Sequence, residues 1–408
     1  MMIEMDYNQL LEDRKLRGKE IVKSSKLTYL GDKWLVPSQT GNGSYTVKLE
    51  KDMPTCSCPD FEKRRIKCKH QFAVEIIVKK QIDEQGNITV TKKVTYSQDW
   101  VAYDKSQTQQ KELFLKLLND LCKTIQQPQY VFGRPKLLLS DMVFSSALKV
   151  FTTFSLRRFT SDMKIAQEFG YIRKVPHYSS VAYYMENPEL TQVIKELITI
   201  SSLPLKSVEQ DFTVDSTGFS TSRFDRWFDY KYGKEKNIRK WLKAHVMSGV
   251  KTNIVTALQV TTAHEHDTKF LQPLMIETSE HFQIKELSAD MGYSSRNNLD
   301  AIKEIGAMPY IPFKKNTTPR ANGSSTWHKM WYYFMYKHGE FTEHYHKRSN
   351  AETVFHMIKS KFGDAIRSKT ETAQINEVLL KVLCHNICCV IQEMHELKIE
   401  PNFFVEKV

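Results

Sequence analysis

The chain has 408 residues, 41% of them hydrophobic, so it is long enough for two or three domains with sizeable cores. Its 59 lysines and arginines outnumber 47 aspartates and glutamates, and the net charge of +12 favours a polyanionic partner whose phosphates neutralise basic side chains. No apolar run approaches the roughly 18–20 residues of a membrane-spanning helix, and the mixed, acidic start does not resemble a signal peptide, so we expect no membrane partner.

The N-terminal part is predicted to contain an arm and a small β-structure. Residues 1–30 are assigned to the arm, as a short polar helix or an extended segment. Residues 33–50 are predicted as a β-hairpin, because K-W-L-V-P-S and S-Y-T-V-K-L-E are typical of strands and T-G-N-G between them supplies turn residues.

A group of cysteines follows the hairpin, in C-S-C-P-D-F-E-K-R-R-I-K-C-K-H. Cys56, Cys58, Cys68 and His70 form a C-x-C pair and a C-x-H pair, and three thiolates with one imidazole are an ordinary tetrahedral set for Zn²⁺. The chain has seven cysteines, an odd number, which favours a metal site over a disulfide framework. We therefore expect a zinc site in a reducing compartment, and place the protein in the cytoplasm, on DNA.

The cysteine pattern, followed by a helix, resembles the SWIM-type zinc finger. Gln71–Lys80 fits that helix, and residues 31–90 are assigned to the finger. The resemblance implies a module that binds DNA or protein. Basic residues between the ligands contact phosphate or form a solvated loop, and the sequence leaves both alternatives open: Lys63, Arg64, Arg65, Lys67 and Lys69.

A helical region comes next. Residues 82–108 are interpreted as a linker or as the last strand of the finger, and Gln109–Ser201 has helical apolar spacing. Ser155–Phe169 and Ser179–Asn187 are arranged like a helix-turn-helix pair. Helical packing explains this pattern equally well, but the charge favours a helical DNA-binding region over residues 91–205.

Beyond Pro204 the apolar residues alternate as in β-strands. Three strands, a helix capped by Asp267, a strand, a second helix and a last strand predict an α/β layer architecture. The predicted bounds are, in order, Asp211–Phe219, Lys243–Gly249, Asn253–Thr262, Lys269–Thr278, Leu287–Asp290, Asn297–Ile305 and Met308–Phe313.

The stretch Tyr345–Lys359 contains no Gly or Pro and is predicted as one helix. Tyr345, Arg348, Glu352 and Lys359 would share one face of that helix. A carboxylate binds hard divalent cations, and flanking Arg and Lys side chains suit phosphate. A solvated helix face with an Arg–Glu pair is the alternative.

Two further carboxylates, Asp215 and Asp290, are predicted at strand ends, where Gly218 and Gly292 would let the backbone turn away. With Glu352 they would form an acidic pocket for magnesium, in which two ions activate the attacking oxygen and stabilise the leaving oxygen of a phosphodiester. On composition alone, six nearby acids fit equally well: Asp211, Asp225, Asp229, Asp267, Asp300 and Glu343.

In their order, D-S-T-G-F, A-D-M-G-Y-S-S and Y-x-x-R-x-x-x-E-x-x-x-x-x-x-K resemble the motifs of the DDE transposases of prokaryotic insertion sequences, in the group with the Y-R-E-K signature. The resemblance implies a ribonuclease H-like catalytic domain, a mixed sheet flanked by helices, over residues 206–395, with residues 396–408 as a tail. It also implies the site residues. Asp215, Asp290 and Glu352 would hold Mg²⁺ (or Mn²⁺), while Tyr345, Arg348 and Lys359 would contact the transposon end.

The resemblance implies a transposase that binds the ends of an insertion sequence, cleaves them by hydrolysis and joins the 3′ ends to target DNA. Its partners would be double-stranded DNA and, because transposases act on paired ends, a second copy in a homodimer. The short segment between Asp290 and Glu352 leaves room for at most a small insertion. The alternatives are an inactive or repurposed DNA-binding protein, and a ribonuclease H-like nuclease without strand transfer.

The remaining marked residues receive simpler interpretations. Trp327 and Trp331 stack on a flipped base or pack in the core. Lys231–Lys243, rich in basic and aromatic residues, is expected along the DNA path, with a solvated face as the alternative. Several residues are predicted as buried core because of their apolar neighbours: Cys122, Cys384, His385, Cys388 and Cys389.

Overall fold

The structure is a computed structural model and describes residues 14–22, 24, 25, 27–30, 33–39, 43–48, 55–80, 99–129, 132, 136–221 and 241–404. The chain divides into two compact units, Met1–Lys92 and Lys93–Val408. Several predictions lie at least partly outside the described residues: the arm over 1–13, the turn over 40–42, the linker over 82–98, the basic segment over 231–240 and the tail over 405–408.

The first unit contains an antiparallel sheet with strand order β1-β2-β3-β4. Trp34 pairs with Val47 and Pro37 with Ser44, which confirms the predicted pairing of the hairpin strands. The strands are β1 (Thr28–Tyr29), β2 (Trp34–Pro37), β3 (Ser44–Lys48) and β4 (Thr55–Cys56). The helices are α1 (residues 14–22), α2 (Pro59–Arg64) and α3 (Lys69–Lys80).

The second unit begins with a series of helices whose apolar faces are buried. The predicted helix pair is confirmed as α7 and α8, while the role of these helices in DNA binding stays a prediction. The bounds are α4 (Trp100–Thr108), α5 (Gln110–Cys122), α6 (Leu139–Thr152), α7 (Leu156–Glu168), α8 (Tyr178–Met185) and α9 (Pro188–Ser202).

A mixed five-stranded sheet follows, with the order β7-β6-β5-β8-β9. The central strand β5 is antiparallel to β6 and parallel to β8. The elements are β5 (Asp211–Ser220), β6 (Trp241–Gly249), β7 (Val255–Thr262), α10 (Leu271–Ser279), β8 (Glu286–Ala289), α11 (Arg296–Glu304) and β9 (Met308–Tyr310). This order confirms the predicted mixed sheet flanked by helices, the ribonuclease H-like class.

Two details of the predicted strands and helices were wrong. Asp215 does not end its strand, because β5 continues through Gly218 to Ser220. Gly218 makes room for Trp241, since a Cβ at this glycine would lie 3.1 Å from the ring of Trp241. Asp267 does not cap α10, because its carboxylate pairs instead with Lys243 at 2.7 Å and His245 at 3.2 Å.

Helical segments then lead to the C-terminus, with bounds α12 (Ser325–Tyr336), α13 (His338–Tyr345), α14 (Ser349–Phe362) and α15 (Glu371–Glu396). The predicted single helix over Tyr345–Lys359 was wrong, because a 3-10 turn, His346–Arg348, separates α13 from α14. Two side chains of this turn form ion pairs with acids of β5, Lys347 with Asp211 and Arg348 with Asp215.

The indoles of α12 are engaged within the protein. The Nε1 of Trp327 donates a hydrogen bond to the carbonyl of Thr318, and that of Trp331 to the carbonyl of Thr317, each at 3.1 Å. Trp327 is only 7% exposed and packs edge-on against Phe313. These contacts favour packing over base stacking for both tryptophans.

The long helix α15 forms the centre of the largest hydrophobic core, which also includes side chains of α5, α6, α9 and β7. Its Asn386 accepts a hydrogen bond from the amide of Val255 and donates to the carbonyls of Val255 and Ile198. The four marked residues of this helix are buried, as predicted: Cys384, His385, Cys388 and Cys389.

Among the described residues, α15 alone is long and apolar enough to cross a membrane. However, 89% of its most apolar window is buried within the protein, as in the core helix of a globular fold. The largest core contains side chains of both the helical region and the sheet. The predicted domain boundary between residues 205 and 206 stays a prediction.

Glu393, on α15, gives the fold a testable pH dependence. Burial, with Glu396 and Glu209 nearby, raises the pKa of Glu393 from 4.5 to about 8. Because the folded state then binds the proton more tightly than the unfolded state, this residue's contribution to stability is lost as pH rises towards 8. We expect Glu393→Gln to raise the melting temperature at pH 9 and to change it little at pH 5, as measured by calorimetry. The exposed Glu400→Gln is the control, and equal shifts at both pH values would contradict the prediction.

Candidate functional site

The zinc ligands predicted in the first unit lie together. Cys56 ends β4, Cys58 caps the N-terminus of α2, and His70 lies in the first turn of α3. The Nδ1 of His70 is 3.9 Å from the Sγ of Cys56 and 3.9 Å from the Sγ of Cys68. Tetrahedral zinc, with bonds of about 2.3 Å to sulfur and 2.0 Å to nitrogen, separates such atoms by roughly 3.5 Å.

The chemistry of this group fits Zn²⁺. All four residues are buried, and their ligand atoms lie within 4.8 Å of one another. Hydrogen bonds from neighbouring groups, chiefly Cys56, lower the pKa of the Cys68 thiol to about 4, despite its burial. The Nδ1 of His70 faces the thiols and would be the ligand atom, whereas the opposite Nε2 is buried without a hydrogen-bond partner among the described residues. The cluster supports Zn²⁺ binding.

In the second unit, two of the predicted acids lie at equivalent positions of two neighbouring parallel strands. The parallel pairing of β5 and β8 sets Val214 beside Ala289. The next residues along the two strands are Asp215 and Asp290, and parallel strands lie about 4.8 Å apart. The Oδ1 of Asp215 accepts a hydrogen bond from the amide of Ser216, and the Oδ1 of Asp290 accepts one from the amide of Gly292, each at 2.8 Å.

Gly292 lies in the 3-10 turn that follows Asp290, and its lack of a side chain permits this contact. A Cβ at Gly292 would lie 2.9 Å from the Oδ1 of Asp290. A larger residue would therefore displace the carboxylate. The sequence-based expectation that this glycine shapes the backbone beside Asp290 matches the local geometry, in contrast to Gly218.

Arg348 connects the sheet to the helix that carries the third acid. Its Nη2 lies 2.9 Å from the Oδ2 of Asp215, and its Nη1 lies 3.2 Å from the Oε1 of Glu352. The side chain of Glu352 is 62% exposed, whereas that of Asp215 is 12% exposed. Burial raises the pKa of Asp215, although Arg348 and the amide of Ser216 act to lower it.

The three carboxylates are not gathered as tightly as the zinc ligands. In the part of the chain that the structure describes, only the cysteine–histidine cluster has three or more ligand atoms close enough to share an ion. Asp215 and Glu352 are instead bridged by a guanidinium group. Their oxygen donors suit a hard divalent cation, and the exposure of Glu352 leaves that side chain free of packing constraints.

Tyr345 and Lys359 flank Arg348 and Glu352 in the sequence, at the end of α13 and within α14. Burial raises the pKa of Tyr345, which interacts with Arg348 and with both aspartates. Lys359 donates a hydrogen bond of 2.6 Å to the Oγ1 of Thr217, two residues beyond Asp215 on the same face of β5, and burial lowers its pKa. Two of the four residues predicted to share a helix face, Arg348 and Lys359, therefore contact side chains of β5.

Sequence reasoning missed a second set of charges beside the first, because it considered Asp211 only as a possible magnesium ligand and did not single out Glu286 or Lys347. Asp211 and Glu286 each precede a predicted acid by four residues, and the strands pair them directly. The Nζ of Lys347 lies 2.6 Å from the Oδ2 of Asp211 and 2.7 Å from the Oε2 of Glu286. The equal spacing before Asp215 and Asp290 was the signal that could have revealed them.

Two family models match the chain. Residues 206–387 match the model described as the transposase DDE domain, and residues 45–79 match the SWIM zinc finger. The first match includes the mixed sheet and the acids of β5, β8 and α14, and the second includes the four zinc ligands. The chain therefore carries a SWIM zinc finger followed by the DDE domain of transposases.

Proposed function

We propose that this protein is a metal-dependent DNA transposase that cleaves the ends of an insertion sequence and joins the freed 3′ ends to target DNA. The observation that carries the proposal is the guanidinium of Arg348, which holds Asp215 and Glu352 beside the strand that carries Asp290. The match to the transposase DDE domain supports the same class of reaction.

In this proposal Asp215, Asp290 and Glu352 are the catalytic acids and would hold Mg²⁺ or Mn²⁺. Such ions, when bound, supply activation of the attacking oxygen and neutralisation of charge on the leaving oxygen. The three carboxylates provide hard oxygen donors from two strands and one helix, which suits an ion that approaches from the open side of Glu352.

The cations of the site would orient the DNA end. Arg348 presents a planar guanidinium, which binds phosphate oxygens in a fixed geometry. Its ion pair with Asp215 aims this group at the acidic centre. Tyr345 and Lys359 would contact the transposon end together with Arg348, close to the cleaved phosphate.

The other parts of the chain would recognise DNA. Zn²⁺ held by Cys56, Cys58, Cys68 and His70 would fix the finger, and the net charge of +12 favours contact with phosphates along the helical region. Because both ends of an element must be processed together, we propose a homodimer on DNA, in the cytoplasm of a prokaryotic cell.

Lys359 provides a graded test of the DNA contact. Lys359→Ala should weaken binding to the transposon end. It should also reduce the slope of log K against the logarithm of salt concentration by about one, because one cation that contacts phosphate is removed. Fluorescence anisotropy over a salt series would measure both quantities. Lys361→Ala is the matched control, because Lys361 lies on the same helix but donates to Gln110. An unaltered salt slope in Lys359→Ala would count against the contact.

A strand-transfer assay tests the whole proposal. Purified protein, Mg²⁺, a labelled duplex carrying the element's own end and a plasmid target are incubated with wild type, Glu352→Gln or Glu343→Gln. We expect label on the plasmid with wild type and Glu343→Gln, and none with Glu352→Gln. Cleavage without joining would indicate a nuclease, and DNA binding without either would indicate a repurposed DNA-binding protein.

A further inference from the structure

Beside the proposed catalytic acids lies a second acidic pair that the reaction does not use. Asp211 opens β5 and Glu286 opens β8, and the two are direct partners in the parallel register. Side chains alternate along a strand, so Asp211 and Asp215 project from the same face of β5. Acidic side chains therefore occur at two levels, four residues apart. The lower level is Asp211 with Glu286, and the upper level is Asp215 with Asp290.

Lys347 neutralises the acidic pair of the lower level, Asp211 and Glu286. Lys347 contacts both carboxylates, at 2.6 Å and 2.7 Å, and its side chain is only 20% exposed. His344 reinforces the arrangement, because its Nδ1 lies 2.9 Å from Glu286 and its ring stacks on Tyr310 at 4.5 Å. Burial alone would raise the pKa of Glu286, but hydrogen bonds from Lys347 and His344 lower it overall.

Lys347 is adjacent in sequence to Arg348, which forms an ion pair with Asp215 of the upper level. Lys347 and Arg348 belong to one 3-10 turn, and α14 begins immediately after it. The turn thus forms ion pairs with both acidic levels of one strand, through Asp211 and Asp215. Glu352 lies in the first turn of α14. Its position relative to β5 therefore depends on where the preceding 3-10 turn is fixed.

We propose that Lys347, held by Asp211 and Glu286, is a positioning residue that fixes Arg348 and Glu352 at the level of Asp215 and Asp290. This inference rests on the proposed function, since it assigns those acids to catalysis. A paired, partly buried lysine with two carboxylate partners is more constrained than an exposed ion pair, and displacement of about 1 Å costs a reaction heavily.

The test compares Lys347→Met with Lys347→Arg, which keeps the charge and reaches both acids, and with Lys337→Met, which removes an exposed ion pair to Glu340. Mn²⁺ binding to the protein alone is titrated by electron paramagnetic resonance, and cleavage of end DNA and DNA affinity are measured separately. We expect Lys347→Met to lower cleavage by roughly 10- to 100-fold and DNA affinity by a much smaller factor, because Arg348 is only one of the proposed DNA-binding residues. Lys347→Arg should restore most of the rate, and Lys337→Met should behave as wild type.

The direction of the Mn²⁺ result separates positioning from charge balance. Removing a cation makes the surroundings more negative, so a purely electrostatic role predicts tighter Mn²⁺ binding in Lys347→Met. Positioning predicts weaker binding, because Glu352 is no longer held at the level of Asp215 and Asp290. Tighter or unchanged binding would overturn the inference, and if Lys347→Met does not fold, Lys347→Gln carries the same comparison.

The two proposals fail in different ways. If wild type neither cleaves nor joins DNA, the proposed function is wrong, whereas the Mn²⁺ titration still measures whether Lys347 brings the acids together. If wild type cleaves and joins DNA and Lys347→Met does both equally fast, the proposed function stands and the positioning role is wrong.

Discussion

Replacing Asp215 with asparagine is expected to reduce cleavage of the transposon end by at least about 1,000-fold. Loss of one carboxylate ligand removes several kcal/mol of stabilisation from the transition state, and about 4 kcal/mol corresponds to a thousandfold in rate. Asn keeps the shape of the side chain and its hydrogen bond from the amide of Ser216. DNA binding should therefore persist.

The same substitution should leave the fold at least as stable as wild type. Because burial raises the pKa of Asp215, the ionised carboxylate at neutral pH opposes folding, and a neutral amide removes that cost. Arg348 keeps Glu352 as a partner. Cleavage on gels, DNA affinity and melting temperature together distinguish a lost ligand from a damaged fold.

Asp300→Asn is the matched control for this experiment. Asp300 is another carboxylate of the second unit, but its Oδ1 accepts a hydrogen bond from the hydroxyl of Ser324 at 2.8 Å and makes no contact with Arg348. We expect cleavage near the wild-type rate. Survival of cleavage in Asp215→Asn, or its loss in Asp300→Asn, would mean that a different carboxylate holds the ion.

Cys56→Ser should release zinc and unfold the first unit. Binding of structural zinc contributes on the order of 10–16 kcal/mol in small finger modules, far more than a sheet of short strands gains from its own core. The core of this unit contains three of the ligands themselves, Cys56, Cys58 and Cys68. Removing the ion therefore removes the link between β4, α2 and α3.

Elemental analysis and limited proteolysis would measure this effect. Wild type should contain one zinc ion per chain and resist cleavage within residues 55–80, whereas Cys56→Ser should contain almost none and be cut there. Cys122→Ser is the control, since Cys122 is a buried thiol on α5 in the second unit. An unchanged zinc content in Cys56→Ser would exclude this ligand set.

The strands of the second unit could be predicted because their local signals agree with the final fold. Apolar residues with the spacing of strands marked β5 and β8, and both strands contain consecutive buried residues, as strands inside a sheet covered on both faces do. The zinc ligands could be predicted for a similar reason. C-x-C and C-x-H each present two ligands from one short segment, so little of the site depends on distant parts of the chain.

The contacts of Lys347 could not be read from the sequence. They depend on the register between β5 and β8, which is set by packing across the sheet and not by either segment alone. Gly218 was misread for the same reason. Its role depends on the ring of Trp241 from a neighbouring strand, and a single sequence does not tell which side chain approaches a glycine.

The location of α15 determines what an interrupted copy of this gene could produce. The helix is the last long element of the chain, yet its side chains complete the core between the early helices and β7, where Asn386 bonds to Val255 and Ile198. A frameshift or stop before residue 371 would leave that apolar interior without its centre. Such a truncated chain should not fold stably and should be degraded, so the part before α15 would not persist as a separate protein.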